Sequence, residues 1–343
     1  ENPRIYALPG QKGEAGGIYY HVSFYDLQAA NHITMLPNSP EFVKRELTEV
    51  LEKGADDFWI INCSNVKPHV YYLDFIARMW KEGKIGIAEH RKEYVQRYYG
   101  LSGSEQVAER FREYFLYAAA YGSREDEHAG EQFANHVART LITQFMKNRE
   151  ERSTELLWAA QCNDLKEQVL WYRNICLNAS ESYGEYLRKC EETEAGLLGE
   201  GKELFRDSLL LQVKIHYHCF RGAMLACRSL AEGFQENYQR AFYLAGKAGK
   251  EYLEADRAMR EREHGKWHGF YENECLTDVK QTAWVLRGFM SYLRALGDGP
   301  HYYQWQREYL YSEKDRRVML ILNMENHLQD EELFALMEAK LDE

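Results

Sequence analysis

The polar side chains that could do chemistry gather at two places early in the chain. Tyr20 and His21 lie within "GIYYHVSFY" (17–25), and Asn62, Asn65 and Lys67 lie within "DDFWIINCSNVKPHV" (56–70). Amides, an imidazole and an ammonium suit hydrogen bonding to hydroxyls and pairing with a carboxylate. The polar groups that close the two stretches include no pair of acids, and Asp26 is the one carboxylate that follows directly on them; Asp56 and Asp57 lie at the opposite end of the second stretch.

Other candidates are weaker. His216 and His218 in "HYHCF" are two apart, which on a helix turns them away from each other and from a shared metal. His264 and His268 in "HGKWH" are four apart, but Gly265 and Gly269 weaken a helix there. The "GLLGEGKE" segment has the glycines of a phosphate loop without its Gly-Lys-Ser/Thr ending, so it reads as a turn between helices. The chain contains no GxSxG elbow. The seven Cys include no CxxC pair, and Cys162, Cys176 and Cys190 repeat as if on one helix face, where they read as small buried hydrophobes. "NCS" at 62 and "NAS" at 178 fit glycosylation acceptors but sit on a strand end and inside a helix. No metal or cofactor is expected.

The elements that must position these groups follow from spacing. Residues 17–25 are β-branched and aromatic and read as a strand. Ser39, Pro40 and Glu41 form a helix start, with the helix running to Lys53 and stopping at Gly54. The apolar run 57–63 reads as a second strand, buried on both faces. Strand, helix and strand with short joints form a βαβ unit, which makes the strands parallel and brings both polar clusters to one rim at their carboxyl ends. Asn and Ser there could equally cap the helix that starts near His69, with Pro68 in its first turn.

Beyond residue 69 the apolar spacing turns helical. Leu165, Val169, Tyr172, Cys176, Ala179, Tyr183 and Leu187 form one stripe, and Leu209, Val213, His216, Phe220, Met224, Cys227 and Leu230 another. Further helices fit 105–121, 127–148, 236–260, 277–296 and 329–341, with Gly-bearing breaks at "YGLSGS", "EAGLLGEGKE" and "LGDGPH". The expected fold is mainly α with a small α/β part: two parallel strands in a βαβ unit over residues 1–85, then a long-helix bundle over 86–343.

Composition narrows the partners. A formal charge of −11 with no basic stripe argues against nucleic acid and against an anionic membrane surface. No apolar stretch reaches the roughly 18–20 residues of a membrane span. No signal-peptide pattern is visible after Glu1, which leaves a cytoplasmic or a secreted address. The 25 Tyr are an outlier, read here as half-buried helix packing with a wet hydroxyl. An uncapped two-stranded edge favours association into a homo-oligomer.

The stretch "GGIYYHVSFYD", followed by "GADDFWIINCSNVKPHVYYLDFIARMW", resembles glycoside hydrolase family 115, the xylan α-glucuronidases. In that family a YYH-containing strand precedes a W-I-x-N-V-G-D-x-K-P-x-E strand end and a helix of the FLxxAW kind. Here Tyr19, Tyr20 and His21 stand for the first, and Trp59, Ile60, Asn62, Lys67 and Pro68 for the second. "FIARMW" stands for the helix, and "GKWHGF" from 265 is similar to the family's G-K-W segment. The likeness covers residues 16–82. It departs at Ser64 and Asn65, where the family has Gly-Asp, and at Val70, where it has Glu.

The resemblance implies a C-terminal portion of a longer hydrolase, comprising the last two strands of a (β/α)8 barrel and a helical bundle. It implies release of (4-O-methyl)glucuronic acid side chains from glucuronoxylan, a uronic-acid-bearing polysaccharide or oligosaccharide as partner, and Tyr20, His21, Asn62, Asn65 and Lys67 as substrate-binding residues. The acid and base would come from the barrel strands outside this chain, which alone would be inactive. The alternatives are a non-catalytic helical interaction module whose βα part completes a partner's sheet, and a diverged carbohydrate-binding relative.

Overall fold

The computed structural model describes residues 16–22, 32–272, 279–318 and 327–341. In chain order these form β1 (Gly17–His21), α1 (Pro40–Glu52), β2 (Phe58–Asn62), α2 (Val66–Glu82), α3 (Ile87–Tyr99) and α4 (Ser104–Glu113). A short pair, β3 (Ala119–Ala120) and β4 (His128–Ala129), precedes α5 (Glu131–Lys147) and α6 (Leu165–Gly196). Then come α7 (Gly199–Phe205), a π-helical turn at Arg206–Leu210, α8 (Leu211–Phe234) and α9 (Tyr238–Arg260). A 3₁₀ turn at Gly265–Trp267 leads on to α10 (Val279–Gly297), α11 (Gln304–Leu310), α12 (Glu313–Val318) and α13 (Asp330–Leu341). The fold is mainly α with a small α/β part.

The βαβ unit forms as its local chemistry dictates. Ser39 caps α1, its hydroxyl accepting from Phe42 N at 3.1 Å, with Pro40 at the first helical position. Gly54 takes a left-handed φ of 74° just beyond the helix. The two strands pair in parallel, from Gly17 opposite Phe58 to His21 opposite Asn62. Phe42, Val43, Leu47 and Val50 of α1 are buried, as are Ile18, Tyr20 and Val22.

Several expectations need correction. The first strand ends at His21, with Val22 N bonding Asn62 O at 3.1 Å; Ser23, Tyr25 and Asp26 lie outside the described residues. β2 is not buried on both faces: Phe58 is 50% and Ile60 52% exposed. An apolar run cannot by itself say how many layers cover it. The helix expected over 105–121 stops at Glu113, because Ala119–Ala120 pairs antiparallel with His128–Ala129 around a turn closed by Glu127 on Arg124 N. The break near residue 197 is shorter than its glycines suggest. Gly199 and Gly201 belong to α7, and a Cβ on Gly201 would meet Tyr99 O at 2.3 Å, so glycine is needed there for close approach of α3. Cys162 precedes α6, so it does not share a helix face with the buried Cys176 and Cys190; Cys275 lies outside the described residues.

The chain forms two compact units. The first comprises Glu1–Ala134, Asn178–Tyr217 and Arg257–Asp278, and so includes all of residues 1–85. Tyrosines pack its interior: the Tyr71 ring lies 5.1 Å from both Tyr94 and Phe111, and Tyr72, Tyr114, Tyr183 and Tyr186 are fully buried. The second comprises Asn135–Leu177, His218–Asp256 and Val279–Glu343. Its interior sets Phe145 against Phe234 and Phe289, and buries Tyr172, Tyr252, Cys176, Cys219 and Cys227. No helix among the described residues is long and apolar enough to cross a membrane.

Candidate functional site

Alternation along the two strands sorts the polar residues of the first unit. Directly paired residues of a parallel ladder share a face. Ile18 and Tyr20 are therefore inward with Trp59 and Ile61, while Tyr19 and His21 share the open face with Ile60 and Asn62. Tyr20 accordingly lies inside. Its hydroxyl donates to Glu46 Oε2 of α1 at 2.8 Å, a buried bond that ties strand to helix.

On the open face His21 and Asn62 lie side by side at the carboxyl ends of the strands. Asn62 Nδ2 donates to the Tyr19 hydroxyl at 2.7 Å, and the Tyr19 ring meets His21 edge-on at 4.9 Å. These three form one polar patch. Tyr19 was not among the expected binding residues, although alternation puts it on the same face as His21.

Asn65 does something other than cap. It is the N-cap residue of α2, but its side chain makes no capping bond; Nδ2 instead donates to His32 O at 3.0 Å. Ser64 Oγ accepts from His32 N at 3.2 Å, so the loops after β1 and β2 are stitched together through the backbone of one residue. The two positions that depart from the family's Gly-Asp thus have a structural employment here. Asn65 O also accepts from His69 Nδ1 at 2.8 Å, and burial pushes the buried His69 down from 6.5 to about 4.

Beneath that stitch lies a buried carboxylate that sequence reading did not single out. Glu131, in the first turn of α5, is fully buried. Its Oε1 accepts from Ile33 N at 3.0 Å and from His32 Nδ1 at 3.2 Å, and its Oε2 accepts from the Thr34 hydroxyl. Burial alone would raise its pKa, but His32, His216 and the Thr34 hydroxyl outweigh that and hold it at about 2. Met35 completes the anchoring: its N–H donates to Gln212 Oε1 at 2.7 Å, and its carbonyl accepts from Tyr114 at 3.1 Å. The Tyr114 hydroxyl also lies 3.0 Å from His216 Nε2. His216 stacks on Tyr183 at 4.7 Å and is pushed by burial to about 4. The signal for this anchor is non-local, since Glu131 is almost a hundred residues from its partners.

Lys67 is enclosed by a segment from the far end of the unit. Its Nζ lies 4.7 Å from the ring centre of Tyr271, 5.2 Å from Trp267 and 5.4 Å from Phe270. The structure therefore joins the "VKPHV" and "GKWHGF" stretches. Nζ is buried and has no hydrogen-bond partner among the described residues, and burial lowers its pKa below the usual lysine value. The turn that carries the rings is braced by Asp207 of the π-helical turn, which accepts from Arg262 Nε at 2.6 Å and pairs with His264 Nε2 at 2.8 Å. Such π turns are frequent at functional sites. Among the described residues no group of three or more His, Cys, Asp or Glu could hold a metal ion.

Residues 4–127 match the model of glycosyl hydrolase family 115. A solved structure titled a family GH115 4-O-methyl-α-glucuronidase, BtGH115A, with specificity for decorated arabinogalactans, aligns with a TM-score of 0.47 at 16% identity. That alignment covers 79% of this chain and 31% of the other. No curated protein matches. The matched segment holds β1, β2 and both rim loops, and over that part of its length the chain is similar to glycosyl hydrolase family 115.

Proposed function

We propose that this chain is part of a glycoside hydrolase that releases (4-O-methyl)glucuronic acid side chains from glucuronoxylan, to which it supplies substrate-binding groups and a helical domain. The supporting observation is the pairing of His21 with Asn62 at the carboxyl ends of two parallel strands, on their open face. Ligands of parallel α/β sheets bind at that end. His21 and Asn62 hydrogen-bond sugar hydroxyls, and Lys67 faces the uronate carboxylate. Tyr20 and Asn65 hold the rim that presents them. Glycoside hydrolysis uses two carboxyl groups about 5–9.5 Å apart, and in this reading both come from barrel strands elsewhere in the whole protein.

The test is glucuronic acid release from glucuronoxylan by the whole protein, wild type and Asn62→Ala. Loss of a hydrogen bond to the substrate lowers kcat/KM on the order of tenfold or more, with the circular dichroism spectrum unchanged. Unchanged turnover removes Asn62 from the site, and no release by the wild type sinks the substrate. The exposed Phe58 and Ile60 favour a second reading, a non-catalytic module whose strands complete a partner's sheet. It predicts that the whole protein hydrolyses no glycoside and that Phe58→Ser abolishes assembly.

A further inference from the structure

Lys67 breaks two rules at once. As the second residue after the N-cap of α2 it puts a cation at the positive end of a helix dipole, and it buries an ammonium without an acceptor among the described residues. The nearby acids do not relieve it. Asp207 is taken up by Arg262 and His264. Glu263 Oε1 accepts from Arg260 Nη1 at 3.1 Å and from the backbone N–H groups of Tyr271 and Glu272 at 2.6 and 2.9 Å. Asp207 and Glu263 favour the charged amine from a distance, and Arg262 opposes it. What remains in direct contact is aromatic: Trp267, Phe270 and Tyr271. Ring faces attract a cation but accept no conventional hydrogen bond, so they hold the ammonium and leave its donors unspent.

We propose that Trp267, Phe270 and Tyr271 are specificity-determining residues of the Lys67 site, an aromatic socket that keeps the ammonium desolvated and unpaired until an acidic sugar supplies its acceptor. Asp207 is the positioning residue of the socket, because it fastens both Arg262 and His264 at the start of the turn. Preference for the acidic sugar rests on the carbohydrate reading given above; the socket itself does not. A carboxylate reaches the ammonium by taking the place of one ring, and a neutral sugar has nothing to offer in exchange for that contact.

Two measurements on the chain separate these parts. The first is reductive methylation of lysines, mapped by mass spectrometry, with the exposed Lys92 as internal reference. Lys67 reacts more slowly than Lys92 in the wild type and in Tyr271→Phe, which keeps the ring. In Tyr271→Leu it reacts about fivefold faster, the loss of one cation–π contact. The second is calorimetric binding of glucuronic acid against glucose. The preference for the acid survives in Tyr271→Phe, falls in Tyr271→Leu and vanishes in Lys67→Met. Equal labelling of Lys67 in the wild type and Tyr271→Leu overturns the socket. So does an acid preference indifferent to Tyr271→Leu. Expected labelling with neither sugar bound by the wild type supports the socket and overturns the sugar assignment.

Discussion

Two buried ions within the first unit are treated in opposite ways. Glu131 is a carboxylate with no exposed surface, and its neighbours answer it fully: a backbone N–H, a hydroxyl and an imidazole. Lys67 is an ammonium whose donors meet no acceptor among the described residues, only rings. Burial penalises both charges, yet the pKa of Glu131 falls to about 2, which favours its charge, whereas that of Lys67 moves down, which disfavours it. A charge so completely answered is a fastener. A charge left unanswered where the fold could have placed a methionine is better suited to meeting something from outside.

The largest expected effect comes from breaking the answered ion. Glu131→Ala leaves Ile33 N, the Thr34 hydroxyl and His32 facing a void, and each buried donor left without its acceptor costs about 1–3 kcal/mol. Urea unfolding reads this as a lowered midpoint at unchanged slope. A loss below about 1 kcal/mol would show that the stitch between the loops carries little energy.

Acid attacks the same region by a different route. His69 and His216 fall from 6.5 to about 4 on burial, so the unfolded chain binds their protons first as pH drops. Stability is full above pH 6.5, declines between 6.5 and 4, and loses about 3 kcal/mol per histidine by the lower limit. Glu131 has the ordinary carboxylate sign: its contribution is present above pH 4.5 and is lost as pH falls towards 2. Urea midpoints at pH 7, 6 and 5 test the histidine part, since at pH 5 and above Glu131 is largely ionised in the folded and unfolded states alike. A flat profile over that window would mean the two imidazoles are hydrated.

How much of this was legible in the sequence depends on the range of the interaction. Ser39, Pro40 and Gly54 announced α1 because caps are local chemistry, and the YYH and WIIN stretches announced parallel strands because a short βαβ joint leaves few alternatives. The inward turn of Tyr20 follows from period-two alternation once the register with β2 is known, and register is not local. Glu131 was illegible, because an acid opening a helix looks like any other dipole-compensating residue until His32 and Thr34 arrive beside it. Lys67 could be named as a polar rim residue, but its rings lie two hundred residues away. The short β3–β4 pair went unread because two residues per strand leave no periodicity.

A smaller effect probes the strand-to-helix tie that serves neither ion. Tyr20→Phe removes the hydroxyl that donates to Glu46 while keeping the buried ring, and should cost about 1–2 kcal/mol. If Tyr20 touches substrate instead, the same variant weakens sugar binding without loss of stability. The two readings differ in which measurement moves.

The smallest effect on stability is expected where a charge is removed, and it is the sharpest form of the comparison. Lys67→Met deletes the cation at the positive end of α2 and leaves an apolar chain of similar length among Trp267, Phe270 and Tyr271. Cation–π attraction of about 2 kcal/mol, the magnitude for a desolvated cation, is lost. Against that, the desolvation of an unpaired ammonium and its unfavourable helix-dipole term disappear, and a thioether gains contacts of its own with the rings. The terms nearly cancel, so the urea midpoint should stay put or rise slightly. Destabilisation approaching that of Glu131→Ala would make Lys67 a second fastener. The opposite result, a fold as stable as the wild type that no longer distinguishes glucuronic acid from glucose, would mean that the fold carries this charge for its ligand and not for itself.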